Sequence, residues 1–178
     1  MSDPEPRRRN SLRLPEYDYS QAGAYFVTVV VKGRVPMFGK VIDEEVELSE
    51  YGKVVENAWL DLPNHYEHIS LDEFIIMPNH VHGIIFLHHT EANGVGAIHT
   101  VIYCVPLLRQ RRTMLLSKLM GRFKTVSAKQ INQKRRTPGT PFWQRGYFDH
   151  VIRNEDDLNQ IRDYIATNPS RWTLKESA

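Results

Sequence analysis

The sequence predicts an α+β fold built on one four-stranded antiparallel sheet. Four segments are rich in β-branched and aromatic residues, which is typical of strands. Apolar residues at helical spacing predict one helix between the first two strands, another between the last two, and a third after the fourth strand. This order is the ferredoxin-like (split βαβ, RRM-like) arrangement, in which two helices cover one face of the sheet. The other face is therefore expected to be free for a site.

The strands are predicted from their composition and from the turn residues between them. The second and third are expected to pair as a hairpin through the tight link Pro78-Asn79. Gly146 is expected to make the fourth strand irregular, and residues 40–47 are a candidate short extra hairpin. The four predicted strands cover residues 24–32, 69–77, 80–87 and 142–153.

The helices are predicted from their caps and their apolar period. Ser49 occupies the N-cap position of the first helix, and Pro63 ends it. The second helix is amphipathic and covers residues 115–134. Asn154 caps the third helix, which is expected to end before Pro169 because proline cannot continue a helix.

Length and composition favour one globular domain in a reducing compartment. The chain has 178 residues, of which 41% are hydrophobic, and its one cysteine, Cys104, excludes an internal disulfide. The N-terminal segment lacks the apolar core of a signal peptide, and no apolar stretch is long enough to cross a bilayer. We therefore expect a cytoplasmic, nucleoid-associated protein without a membrane partner. The expected organisation is a flexible arm at 1–20, a single domain at 21–173 with a loop or insertion at 88–113, and a tail at 174–178.

Charge is segregated along the chain although the formal net charge is only +2. From Ala92 through Phe148 there is no Asp or Glu, whereas Lys and Arg are frequent. A long basic window without acids favours a polyanionic partner such as nucleic acid over a simple solvated surface. The candidate DNA-binding residues in this window are Arg109, Arg111, Arg112, Lys118, Arg122, Lys124 and Lys129.

Two histidines stand one residue apart in the predicted third strand, within MPNHVHGII. Side chains at i and i+2 of a strand share a face, so His80 and His82 project together and could chelate one metal ion. A pair of this kind also occurs by chance on a solvent-facing strand. In the third helix, Tyr164 and Asn168 are i and i+4, so they lie on one side of it, at the edge of its apolar face.

Taken together, these segments resemble a known family. MPNHVHGII looks like the HUH motif (histidine, hydrophobic residue, histidine) of single-tyrosine transposases. The stretch WQRGYFDHVIRNEDDLNQIRDYIATNP looks like the C-terminal part of REP-associated tyrosine transposases and of the wider insertion-sequence-200-like group. LLSKLMGRFKTVSAKQIN is similar to their basic helix, and GAYFVTVVVKGR resembles their first strand. The resemblance covers most of residues 11–173.

The resemblance implies a metal site and a tyrosine nucleophile on the C-terminal helix. His80 and His82 match the HUH positions, Tyr164 matches the nucleophile, and Asn168 falls where the family carries a Gln or Asn metal ligand. The implied cofactor is a divalent metal, Mg²⁺ or Mn²⁺. His150 competes for a role near the site and is expected to act behind the metal ligands. Tyr147 is the competing tyrosine, but it has no partner at helical spacing.

The function implied is a single-stranded DNA transposase. It would nick and rejoin DNA at hairpin-flanked or palindromic sites through a 5′-phosphotyrosine, either alone or as a homodimer. Phe142, Trp143 and Phe148 are candidates for base stacking or for the core. Three alternatives stay open at this point: a domesticated protein that binds DNA or RNA hairpins without cutting, a zinc hydrolase that uses the HxH pair, and a core in which the histidines are structural. The zinc alternative needs a third ligand, for which Asp72, Glu73 and His150 are the candidates.

Overall fold

The computed structural model describes residues 22–88 and 115–176, with side chains through Thr173. The described elements are, in chain order, β1 (Gly23–Val30), β2 (Gly39–Ile42), β3 (Glu45–Leu48), α1 (Glu50–Leu60), β4 (Ile69–Met77), β5 (His80–Leu87), α2 (Leu115–Lys134), β6 (Phe148–Ile152), α3 (Glu155–Ala166) and α4 (Asn168–Glu176). The predicted arm at 1–20, Cys104 and nearly all of the predicted insertion lie outside the described residues.

The main sheet has the strand order β4-β5-β1-β6, and each neighbouring pair is antiparallel. The first strand of the chain thus lies inside the sheet, between the third and the fourth of the predicted strands. This is the order of the ferredoxin-like fold, so the predicted fold class is confirmed. The extra hairpin predicted near residues 40–47 is present as β2 and β3.

One face of the sheet carries α1 and α2. Ser49 caps α1, because its hydroxyl accepts hydrogen bonds from the backbone N–H groups of Tyr51 and Gly52 at 3.2 Å each. Trp59 of α1 is fully buried against β5, where a Cβ added to Gly83 would lie 2.3 Å from the indole. A glycine is therefore needed at position 83 for the helix to pack this closely on the sheet.

The second face is not free along its length, which differs from the expectation. Its apolar part is covered by α3 and forms a smaller core of Ala24, Phe26, Ile84, Ile152, Leu158 and Ile165. The apolar face predicted for the last helix is thus used to cover the sheet. What this packing leaves is a cavity at one end of the face, where β1 and β5 carry polar side chains.

One predicted boundary is wrong, and one helix was not predicted. The fourth strand is only Phe148–Ile152, because Gly146 has φ 79° and turns the chain just before it. Upstream of that turn, Trp143 makes an isolated bridge to Val31 and is buried in the core. Pro169 does not stop the helical chain, since it stands in the first turn of α4, where the missing N–H of proline costs no hydrogen bond.

None of the helices in the described ranges is long and apolar enough to cross a membrane.

Candidate functional site

His80 and His82 lie on the second face of the sheet, as their spacing predicts. His82 is directly opposite Thr28 of β1, and His80 is opposite Val30. The Nε2 atoms of the two imidazoles are 2.9 Å apart, so both rings aim at the same point. His82 is only 5% exposed, whereas His80 borders the cavity.

Each histidine is oriented through its other ring nitrogen. Nδ1 of His82 lies 2.9 Å from the Thr28 hydroxyl, and Nδ1 of His80 lies 2.7 Å from Oδ1 of Asn79. Because an amide oxygen only accepts hydrogen bonds, Nδ1 of His80 donates, and Nε2 of the neutral ring is then an acceptor. A hydrogen bond at the ring nitrogen that does not face the site is typical of metal-binding histidines. Sequence reasoning missed Thr28 and Asn79, although Thr28 is the one hydroxyl-bearing aliphatic residue in its apolar strand.

Burial keeps His82 neutral. It lowers the pKa of His82 to about 3, and the neighbouring charge on protonated His80 acts in the same direction. Phe26 stacks on the imidazole with ring centroids 5.3 Å apart, which contributes to that burial. A neutral imidazole is the form that binds a metal, so His82 is competent as a ligand over the physiological pH range.

Tyr164 and Asn168 reach the same place from the other side of the cavity. The Tyr164 hydroxyl lies 3.5 Å from Nε2 of His82, and the two rings meet edge to face. Asn168, the first residue of α4, is 7% exposed and lines the cavity together with His80 and Tyr164. The cavity has a volume of about 460 Å³. Tyr164 and Asn168 stand in two different helices, α3 and α4, and not in one helix as predicted, but both lie at the cavity beside His80.

The two imidazoles are close enough for both to bind one metal ion, since their Nε2 atoms are 2.9 Å apart. Among the described residues no group of three or more His, Cys, Asp or Glu side chains could hold a metal. A closed zinc site of that kind is thus missing there. Two imidazoles and the amide oxygen of Asn168 would leave several positions for water or phosphate oxygens.

The candidate third zinc ligands are engaged elsewhere. Asp72 accepts hydrogen bonds from Nε of Arg162 at 3.0 Å and from Nη2 at 2.6 Å. His150 lies 3.1 Å from a carboxylate oxygen of Asp157 and is half exposed. His150 lies on the same face of the sheet as Phe26, its partner in β1. Its imidazole, however, contacts Asp157. Its expected role behind the metal ligands stays a prediction.

The competing tyrosine is on the wrong side of the sheet. Tyr147 packs against the core beneath α1 and α2, and its hydroxyl lies 3.4 Å from Ser117 of α2. Tyr164 is the tyrosine that borders the histidine pair. The candidate stacking residues Phe142 and Trp143 are buried in that same core, at 3% and 7% exposure, while Phe148 is 41% exposed.

The predicted basic residues on α2 lie on the helix that covers the face opposite to the histidines. Lys118 and Lys129 are exposed to solvent. Nη2 of Arg122 contacts His65, which also pairs with Asp61. Lys124 is partly buried and donates hydrogen bonds to two backbone carbonyls, at 2.6 Å each. The other predicted DNA-binding residues, Arg109, Arg111 and Arg112, fall outside the described ranges.

The chain is similar to known proteins over part or most of its length. Residues 104–168, which include Tyr164 and Asn168, match the family described as IS200-like transposases. An uncharacterized protein of Haemophilus influenzae is 31% identical over 164 residues, covering 92% of this chain and 89% of its own length. A second protein of that organism, named as a REP-associated tyrosine transposase, is 27% identical over 152 residues, covering 85% of this chain and 73% of its own length.

The fold is also shared with a solved structure. The structure of a REP-associated tyrosine transposase bound to a REP hairpin superposes with a TM-score of 0.53 at 19% identity, over 89% of this chain and 73% of that one. The family match, the named relative and this shared fold all point to the same group, the IS200-like and REP-associated tyrosine transposases.

Proposed function

We propose that this protein nicks and rejoins single-stranded DNA at hairpin-flanked sites through a covalent 5′-phosphotyrosine on Tyr164. One observation carries the proposal: the Tyr164 hydroxyl and Nε2 of His80 both lie close to Nε2 of His82. The two distances are 3.5 Å and 2.9 Å, respectively. The family, in which tyrosine is the nucleophile, supports the same reading.

Tyr164 would perform the covalent step. Its phenol oxygen attacks the scissile phosphorus and loses its proton to solvent, the bond from phosphorus to the 3′-oxygen breaks, and that oxygen leaves as a 3′-hydroxyl. A phosphodiester is exchanged for a phosphotyrosine ester, so a second 3′-hydroxyl can reverse the step on another strand without ATP. Free tyrosine has a pKa of about 10, so the attack needs help in removing the proton at neutral pH.

We propose that His80, His82 and Asn168 hold the divalent ion, Mg²⁺ or Mn²⁺. When bound, such an ion would polarise a phosphate oxygen and orient the phosphate for in-line attack. Thr28 and Asn79 fix the two imidazole rings so that the two Nε2 atoms face each other. Because Tyr164 reaches His82 within one chain, we further propose that it acts at the metal site of its own protomer, even if the protein forms a homodimer.

The DNA partner is proposed from the family and from the charge distribution. The superposed transposase was solved with a REP hairpin, and the exposed lysines of α2 could hold phosphates of a similar hairpin. These lysines and the site lie on opposite faces of the sheet, so the DNA would have to pass around its edge to reach both.

The second candidate function is a protein that binds hairpins without cutting them. The shared fold supports binding as well as cutting, since the superposed protein was seen with its hairpin. The intact set of His80, His82, Tyr164 and Asn168 favours the enzyme.

A covalent-trapping experiment tests the proposal. A labelled hairpin-flanked single strand, incubated with the protein and Mn²⁺, should give a denaturation-resistant adduct, and Tyr164→Phe should abolish the adduct while leaving DNA binding intact. Tyr147→Phe is the matched control, because it removes a hydroxyl on the opposite face. An adduct that persists in the Tyr164→Phe variant would show that another residue is the nucleophile. Binding without any adduct in the parent protein would favour the hairpin-binding function.

A further inference from the structure

The cavity at Tyr164 extends beyond the residues that the proposed chemistry uses. Its wall continues to Arg34, just after β1, and to Arg171 and Trp172 of α4. Its volume of about 460 Å³ falls within the range of small-molecule sites, which is roughly 300–1,000 Å³. The three residues therefore border space that a bound group next to the scissile phosphate could fill.

Arg171 brings a positive charge to the nucleophile. Its guanidinium carbon lies 5.4 Å from the centroid of the Tyr164 ring, in a cation–π contact. Among the described side chains, which belong to residues 22–88 and 115–173, neither Arg34 nor Arg171 forms an ion pair with a carboxylate, whereas Arg162 does. Two guanidinium groups without a carboxylate partner on one cavity wall suit the phosphates of a nucleic acid, which accept paired hydrogen bonds from arginine.

Trp172 differs from the other two tryptophans of the chain. Trp59 and Trp143 are buried, at 0% and 7% exposure, while Trp172 is partly exposed on the cavity. Its ring lies beside His80 with centroids 5.9 Å apart and planes inclined by 36°, which is a loose contact. An aromatic ring that borders both solvent and a proposed metal ligand is placed to stack on a base close to the reacting phosphate.

We propose that Arg34, Arg171 and Trp172 form a nucleotide subsite, in which Trp172 stacks on the unpaired base next to the scissile phosphate and the two arginines bind its flanking phosphates. Stacking accepts any base, because every base has a π face, so this subsite would position the strand without reading its sequence. The inference rests on the proposed function, since it adds a binding site for the same DNA beside Tyr164.

Tryptophan fluorescence tests the subsite independently of catalysis. Titrating the protein with a short unpaired DNA oligonucleotide should quench the emission of Trp172, and Trp172→Phe should remove that quenching while DNA binding, followed by anisotropy of a labelled strand, persists. Binding without quenching in the parent protein would overturn the subsite and leave the proposed function standing. No DNA binding at all would overturn both. Quenching by an RNA oligonucleotide alone would overturn the assignment to DNA.

The rate of adduct formation gives a second test. Trp172→Ala should slow single-turnover adduct formation by about 5- to 150-fold, the range of base–aromatic stacking, and Trp172→Phe should restore most of the rate. A substrate abasic at the position next to the scissile phosphate should slow the parent protein to a similar extent and should add nothing to Trp172→Ala. Independent, multiplicative effects of the variant and the abasic site would exclude stacking.

The role of Arg171 is tested against an arginine elsewhere on the surface. Arg171→Ala should weaken binding of the short oligonucleotide and reduce its salt dependence, and Arg171→Lys should recover part of both. Arg153→Ala is the control, because Arg153 is exposed at the end of β6 and does not line the cavity. Equal losses in the Arg171→Ala and Arg153→Ala variants would mean that Arg171 contributes only general surface charge.

If the Trp172→Ala variant does not fold, stacking is tested with the Trp172→Phe variant and the abasic strand alone.

Discussion

Thr28 and His82 lie directly opposite each other on neighbouring strands, with the Thr28 hydroxyl 2.9 Å from Nδ1 of His82. The hydroxyl holds the ring so that Nε2 faces both His80 and the Tyr164 hydroxyl. A residue 54 positions away in the sequence thereby determines which nitrogen of the imidazole is presented to the cavity. The contact is a hydrogen bond behind the proposed metal ligand, and it can be removed without touching the ligand itself.

Thr28→Val should therefore weaken the binding of Mn²⁺ by about 10- to 100-fold, the usual effect of losing a hydrogen bond behind a ligating histidine. Valine keeps the shape of threonine and its preference for strands, so we expect the melting temperature to change little. Calorimetric titration with Mn²⁺ measures the affinity, and Thr28→Ser, which keeps the hydroxyl, is the control. Metal binding at parental strength in Thr28→Val would show that the hydroxyl does not orient His82.

The site was predictable as far as local periodicity reaches. The two-residue period of a strand places His80 and His82 on one face. The helical period alone does not account for Asn168, which begins α4 after Thr167 ends α3, the helix of Tyr164. The partnership of Thr28 and His82 depends on the register between β1 and β5, which no local pattern specifies. The first three predicted strands match β1, β4 and β5 closely for the same reason, since strand composition is local information.

The sequence does not predict a role for the residues after Pro169, because proline indicates the end of the helical chain. Thr167 does end α3, but a proline fits the first turn of a helix, so α4 follows at once. Arg171 and Trp172 reach the cavity only because of this second helix. The fourth strand was overestimated in a similar way, since aromatic residues before Gly146 belong to the core without belonging to the strand.

Gly83→Ala should destabilise the protein by about 1–3 kcal/mol, the usual cost of overpacking a core. The added Cβ would lie 2.3 Å from the buried indole of Trp59, which cannot move without displacing α1. Gly121→Ala is the matched control. A Cβ there meets nothing within 4 Å, and alanine favours the helix by about 0.5–1 kcal/mol. Urea denaturation measures both changes, and equal stabilities of the two variants would contradict the packing argument.

Asp72 and Arg162 should make the stability of the protein depend on pH in acid. The two hydrogen bonds from Arg162 hold the pKa of Asp72 below its ordinary value of 3.8. A carboxyl group whose pKa is lower in the folded than in the unfolded state stabilises the fold. This contribution is complete at a pH above the unfolded-state pKa, and it is lost as the pH falls through the folded-state pKa. The pair attaches α3, the helix of Tyr164, to β4.

Asp72→Asn should therefore lower the melting temperature at neutral pH, and the difference from the parent should shrink as the pH falls below 3.8. Asp163→Asn removes an exposed carboxylate next to Arg162 on α3. It is the control and should show little difference at any pH. Thermal melts from neutral to acid pH measure the effect. A difference that stays constant down to the lowest pH would mean that the ion pair is not its cause.

Lys124 and Lys129 should behave differently although both stand on the basic helix α2. Nζ of Lys124 donates to the carbonyl oxygens of Gln144 and Gly146 at 2.6 Å each, and burial lowers the pKa of this lysine. Lys124→Met would leave those carbonyls without a donor, so we expect a loss of about 1–3 kcal/mol in stability.

Lys129 is exposed, so Lys129→Met should leave stability unchanged and reduce the salt slope of hairpin binding by about one. Denaturation curves and binding isotherms at several salt concentrations measure the two effects. If Lys124→Met keeps its stability and lowers the salt slope instead, the lysine binds phosphate rather than the 142–147 segment.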